Sequence, residues 1–341
     1  MLTMAVSIRA AVERLLVAGL VALSAAGCNS PTGPTPPTGP EPPSGPPALT
    51  IACPPSITAS TINGAPVPVT FANPTFSGGR APIAISCSRQ SGSMFPMGAT
   101  PVQCIATDAI STTASCSFTV TVASAPQLSR TRFLAFGDSF TEGEVSVPGA
   151  MSARDPFSFV LTVVPDASYP SRLAVSMRGL YAAQANAISV VNGGRSGEWA
   201  EDGARRLPGV MASVRPEVLL LLHGANELTG LGTPGVSRAA AALDTMAKEG
   251  RNRGARVFMA TLPPSRPTGV HAIPQSTIVA LNDRIRTTAG GEGAVLVDLY
   301  TGLSSDVTRF IGVDGLHPTE AGYARMAEVF LEAVRRTLEV R

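Results

Sequence analysis

The sequence predicts two folded parts of different class: a doubly wound α/β region with a five-stranded parallel sheet over residues 130–341, and a smaller all-β sandwich over residues 48–125. Three observations predict this. After Arg130, short apolar runs alternate with stretches of helical period. Before Ala125 there are only short alternating runs rich in Thr, Val, Ser and Ile, punctuated by Gly, Pro and Asn. The run Val218-Leu219-Leu220-Leu221-Leu222 has no polar face at all, as expected of a strand covered on both sides.

Taken in order, residues 1–27 read as a signal peptide. Arg9 and Arg14 flank the early polar patch, and Leu15 to Gly27 is apolar or small. That run of roughly 13 residues falls short of the ~20 needed to cross a bilayer and suits the apolar part of a secretory signal. It ends Leu23-Ser24-Ala25-Ala26-Gly27-Cys28. Residues 28–47 follow, with Asn29 to Pro47 made of Pro, Gly, Ser and Thr around a single charge at Glu41. Such a stretch cannot bury a core and is predicted to be an extended tether.

Within 48–125, the runs Val67–Phe71, Ile83–Cys87 and Cys116–Val122 are the predicted strands. This segment holds four of the 5 cysteines: Cys53, Cys87, Cys104 and Cys116. An even cluster in an exported chain reads as two disulfides, with three possible pairings. The absence of any C-x-x-C spacing argues against a zinc site. From Arg130 onward, strands are predicted at Arg132–Phe136, Ala187–Val191, Glu217–Leu222, Ala255–Thr261 and Ala294–Asp298. Helices are predicted at Tyr169–Ala183, Val236–Arg251, Ser276–Thr288 and Pro318–Val340. A parallel sheet of this kind carries its chemistry just beyond the carboxyl ends of its strands.

Composition narrows the function. The 26 basic and 24 acidic side chains leave a formal charge of +2, and there is one Trp. No basic stripe or aromatic platform marks a nucleic-acid partner. No metal-ligand cluster is apparent and no cofactor is implied. The sequence carries no signal of oligomeric state.

The unusual residues sit where the strands end. Gly137-Asp138-Ser139 follows the first strand, and a serine on that tight turn projects its hydroxyl into the crevice. A serine nucleophile needs a base, almost always histidine. There are only 3 histidines. His271 lies in a Pro-flanked loop with no carboxylate close in sequence, and His223 closes the Leu-rich strand as a candidate packing residue. His317 stands in Asp314-Gly315-Leu316-His317-Pro318, where one short turn can hold the carboxylate against the imidazole. Acyl transfer also needs donors for an oxyanion. Asn192-Gly193-Gly194-Arg195-Ser196-Gly197 follows the second strand and Gly224-Ala225-Asn226-Glu227 the third.

These four blocks resemble the SGNH, or GDSL, hydrolases, from about Phe133 to the C-terminus. The resemblance implies a flavodoxin-like order of the five strands and a carboxylic ester hydrolase. It implies Ser139 as nucleophile and His317 as base oriented by Asp314. It further implies an oxyanion hole from the Ser139 N–H, the Gly194 N–H and the Asn226 side chain, with no metal or cofactor. Glu227 stands where many members carry Asp. The segment from Cys87 through Ser91–Gly98 and Cys104–Asp108 to Cys116–Val120 resembles a HYR domain, an immunoglobulin-like module that implies spacing or adhesion. The small residues before Cys28 resemble a bacterial lipobox, which implies a lipid anchor on Cys28, a membrane partner and a periplasmic or cell-surface location. Asn29 after Cys28 favours the outer membrane. The expected substrates are small-molecule or polysaccharide esters, foremost acetyl or short-acyl esters of carbohydrate. The alternatives are a lysophospholipase or thioesterase, with Val145–Ser168 as an acyl-binding flap where it is otherwise a packed surface loop, and an adhesion protein with an inactive hydrolase domain.

Overall fold

The computed structural model describes residues 45, 47–149 and 158–340. Residues 1–44, which include the stretch read as a signal peptide, Cys28 and most of the Pro/Gly-rich stretch, lie outside the described residues.

In the N-terminal β region, a four-stranded sheet runs in the order Ile57–Thr61, Thr113–Ser124, Gly98–Thr107, Ala84–Cys87. The first pair is parallel and the other two are antiparallel. Two short pairs, Thr50–Ala52 with Thr75–Ser77 and Val67–Pro68 with Met94–Phe95, complete it. The alternation along Thr113–Ser124 places Phe118, Val120 and Val122 inside, where they meet Val69, Phe95 and Val102. A core this small needs covalent support. Two disulfides provide it, Cys53–Cys116 and Cys87–Cys104. Of the three pairings open to the sequence, this one spans the sandwich and a neighbouring strand pair.

The C-terminal region is the expected α/β sheet. Its strands and first helices are β1 (Arg132–Gly137), α1 (Ser139–Glu142), β2 (Glu144–Pro148), β3 (Phe159–Val163), α2 (Tyr169–Leu180) and β4 (Ser189–Gly194). They continue with α3 (Ala200–Val214), β5 (Val218–Leu222), α4 (Ala225–Leu231), α5 (Thr233–Asn252), β6 (Arg256–Ala260), α6 (Gln275–Gly291), β7 (Val295–Val297), α7 (Leu299–Leu303), α8 (Val307–Phe310) and α9 (Glu320–Leu338). Five strands form one parallel sheet in the order β4-β1-β5-β6-β7. The chain steps outward from β1 to β4, then crosses back to β5 and continues the other way. This is the flavodoxin-like order, with its switch point between β1 and its two neighbours. Phe133 to Phe136 and all five residues of β5 are buried, so the sheet is covered on both faces. Helices α2 and α9 pack together, with Tyr169 stacked on Phe330 at 4.6 Å between ring centroids, and α3, α5 and α6 pack together as a second group.

Within the stretch that the sequence left open between a flap and a surface loop, β2 and β3, on either side of residues 150–157, pair antiparallel. Helix α3 was not anticipated, because Gly203 and Pro208 interrupt its pattern. Among the described residues, no helix is long and apolar enough to cross a membrane.

Candidate active site

Ser139 is the first residue of α1, directly after β1, and is buried. Asp138 caps the helix, its Oδ1 accepting from the Phe140 N–H at 3.1 Å. This cap fixes the turn, and the serine hydroxyl leaves the end of the sheet toward the segment before α9. There His317 Nε2 lies 2.9 Å from Ser139 Oγ, and His317 Nδ1 lies 2.6 Å from Asp314 Oδ2. Asp314 Oδ1 accepts from the Ser146 hydroxyl at 2.7 Å and from the N–H groups of Leu316 and His317 at 3.3 and 3.2 Å. Burial alone would push this carboxyl up. The hydrogen bond and charge of His317, with the donors from Ser146 and Leu316, overcome that and hold it down at about 2. A carboxylate ionised throughout the neutral range therefore keeps a proton on Nδ1, which leaves Nε2 as acceptor for the serine hydroxyl.

The groups expected to hold an oxyanion are not equally free to donate. Gly194 ends β4, and its N–H donates to Asn192 Oδ1 at 2.9 Å. A side chain there would meet Glu142 N at 2.1 Å and Thr141 C at 2.6 Å. Gly194 is thus a packing glycine under α1, with its amide already engaged. Three residues on, Gly197 is exposed, has φ +74° and faces open space. Its N–H has no acceptor among the described residues, and neither has the N–H of Ser139. Asn226 opens α4, and its Nδ2 donates one hydrogen to Glu198 O at 2.9 Å. An amide nitrogen carries two hydrogens, so a second remains for a ligand.

Sequence reasoning missed the polar braces beneath these loops. His223 is buried, with Nδ1 accepting the Gly224 N–H at 3.0 Å and Nε2 at 3.4 Å from Glu198 Oε2. Its Nδ1 also lies 3.5 Å from Asp138 Oδ2. Burial raises Asp138, against the nearby His223. Burial also opposes ionisation of Glu198, but His223 and Arg206 hold it at about 2. Arg206 Nε reaches Glu198 Oε1 at 2.7 Å while its guanidinium covers the Phe136 ring. Glu142 accepts the Ser196 N–H, and Glu227, pushed up by burial, accepts the Ala200 N–H. His271, which has no carboxylate near it in sequence, places Nδ1 3.4 Å from Asp314 Oδ2, and the Phe159 ring of β3 meets it edge-on at 5.4 Å. A carboxylate 43 positions away leaves no trace in local spacing.

The arrangement can deprotonate a hydroxyl, deliver it to an electrophilic carbon and stabilise negative charge on an adjacent oxygen. Residues 135–325 match the family model of the GDSL-like Lipase/Acylhydrolase family, and residues 44–122 match that of the HYR domain. No curated protein matches the chain. Among solved structures it is similar to the lipase/acylhydrolase from Enterococcus faecalis, at 20% identity and a TM-score of 0.49 over 61% of this chain and 97% of that one. It is also similar to a carbohydrate acetylesterase from Sinorhizobium meliloti, at 16% identity and a TM-score of 0.49 over 61% and 99%. A third is a catalytic mutant of an acetylxylan esterase from Geobacillus stearothermophilus, at 17% identity and a TM-score of 0.47 over 61% and 95%. With more than half of its length covered by the family model, this chain belongs to the GDSL-like lipase/acylhydrolase family and is an ester hydrolase.

Proposed function

We propose that the chain is an exported serine esterase that cleaves acetyl or short-acyl esters of carbohydrates. The observation that carries the mechanism is the unbroken line from Asp314 through His317 to Ser139, at 2.6 and 2.9 Å. In this reading Ser139 Oγ attacks the ester carbonyl as His317 Nε2 takes its proton. Asp314 holds the ring and balances the imidazolium. The oxyanion receives the N–H groups of Ser139 and Gly197 and the spare hydrogen of Asn226 Nδ2. Collapse releases the alcohol with the proton from His317. Water then attacks the acyl-serine by the same route in reverse. No step calls for a metal or cofactor.

Export is supported by the two disulfides, which persist in oxidising compartments. Cys28 is then the acylated first residue of the mature chain, residues 29–47 are the tether, and the HYR-type sandwich at 48–125 is a spacer between membrane and enzyme. The hairpin of β2 and β3 favours a second reading. Val147, Val160 and Val163 are exposed along it, and Phe159 touches His271 beside the triad. Such an apolar edge suits a longer acyl chain.

The test is turnover of nitrophenyl esters from acetyl to long chains by the soluble chain, with Ser139→Ala as control. Turnover that peaks at short chains and falls at least ~10³-fold in the variant is expected. A peak at long chains would move the assignment to the lipid-directed reading. Activity equal in both proteins would overturn the mechanism, and none in either would leave the adhesion reading.

A further inference from the structure

Glu144 is a second carboxylate at the reacting atoms, and the triad does not use it. It opens β2, and its backbone carbonyl accepts the Tyr323 hydroxyl at 2.7 Å, which pins the residue to α9. Its side chain is only 16% exposed, and Oε2 lies 3.5 Å from His317 Nε2, on the nitrogen that faces Ser139. With Nε2 itself 2.9 Å from Ser139 Oγ, the carboxylate stands within about 6.4 Å of the attacking oxygen. Among the described residues, no Lys or Arg pairs with it. The cations on the far side of the site are each held by a carboxylate: Arg195 and Arg206 by Glu198, and Arg205 by Asp202.

A largely buried carboxylate with no Lys or Arg beside it among the described residues costs desolvation. In the resting state it receives no proton from His317, because Nε2 is the acceptor of the serine hydroxyl 2.9 Å away. The imidazolium formed in each turnover offsets it only transiently, and a positive charge brought in by the substrate offsets it from binding onward. We propose that Glu144 is a specificity-determining residue, which selects esters carrying an ammonium group beside the scissile bond, as in an amino sugar, and disfavours those carrying an anion there. The inference rests on the esterase reading above and names its substrate class. Opposite unit charges at this range, in a site partly open to water, give a preference on the order of tenfold in kcat/KM.

The test uses two acetyl esters of the same shape, acetylcholine and 3,3-dimethylbutyl acetate, which differ only by an ammonium nitrogen in place of carbon. The readout is the ratio of their kcat/KM values in the full chain and in Glu144→Gln. A ratio does not depend on how much of each protein is folded, and any effect of Glu144 on His317 cancels in it. We expect acetylcholine to be favoured about tenfold by the native chain and the ratio to approach one in Glu144→Gln, with Glu144→Asp between them. A native ratio near one, or a preference that survives Glu144→Gln, would overturn the assignment of Glu144 and leave the esterase intact. Failure to cleave either ester, or nitrophenyl acetate, would overturn the esterase reading itself.

Discussion

Gly194 and Gly197 lie three residues apart and are expected to fail in opposite ways when replaced by alanine. At Gly194 the new methyl carbon would sit 2.1 Å from Glu142 N and 2.6 Å from Glu142 Cα and Thr141 C. All three are backbone atoms of α1, the helix that begins with Ser139, so no rotamer relieves the clash. Overpacking with side-chain relief costs about 1–3 kcal/mol. Without relief, about 3 kcal/mol or more is expected, which for a domain of roughly 210 residues lowers Tm by about 6–12 °C. At Gly197 the methyl enters open space, and the only charge against stability is the left-handed φ of +74°, about 1–2 kcal/mol. Its effect falls on the oxyanion instead, since relaxation of that φ turns the N–H away from the crevice. Losing one such donor costs 10²–10³-fold in kcat in a known serine protease, and a loss of at least tenfold is expected here. Thermal melts and nitrophenyl acetate kinetics on both variants decide the matter. A Gly194→Ala protein that melts like the native chain would refute the packing argument. A stable Gly197→Ala protein with native kcat would refute the donor assignment.

Two further outcomes follow from the structure. Asp314 is held at about 2, below the ordinary carboxylate value, so it stabilises the fold fully above pH ~4 and loses that contribution as pH falls through 2. The stability gap between the native chain and Asp314→Asn, read from urea midpoints, should narrow by about 2 kcal/mol between pH 5 and pH 2; a gap that widens on acidification would contradict the assignment. The disulfides close loops of 63 and 17 residues, worth about 4 and 3 kcal/mol in the chain-entropy view. Reduction is therefore expected to unfold the sandwich at lower temperature while esterase activity, which needs no cysteine, persists; parallel loss of both would show that the enzyme depends on the sandwich.

The sheet was legible because its strands are apolar on both faces: β5 is Val-Leu-Leu-Leu-Leu, and nothing but a covered strand fits so short a run. The Asp314–His317 turn was legible because its two members are neighbours in sequence. What escaped depends on contacts between distant segments. Which glycine offers a free amide is decided by where Asn192 Oδ1 and α1 lie, not by the spelling of Asn-Gly-Gly-Arg-Ser-Gly. His271 meets Asp314, and Glu144 meets His317, only after the hairpin and the last loop have folded over the sheet. The disulfide pairing likewise required the sandwich itself.

The buried ionisable groups under the site argue for position rather than stability. Asp138, His223 and Glu198 are all buried, and a buried charged network is often no more stable than apolar residues of the same volume. What the network does provide is a fixed relation between three loops. Asp138 caps the helix of the nucleophile and reaches the Ala225 N–H at 3.4 Å; His223 ends β5 and faces both acids; Glu198 follows Gly197 and orients Asn226 through its carbonyl. A displacement of any one loop would leave a buried charge without its partner, at a cost of about 3–5 kcal/mol. The proposed nucleophile and oxyanion donors come from three separate strand ends, and an apolar filling would let each end drift alone. A polar one makes them move together or not at all, as a site that stabilises charge by preorganised donors requires.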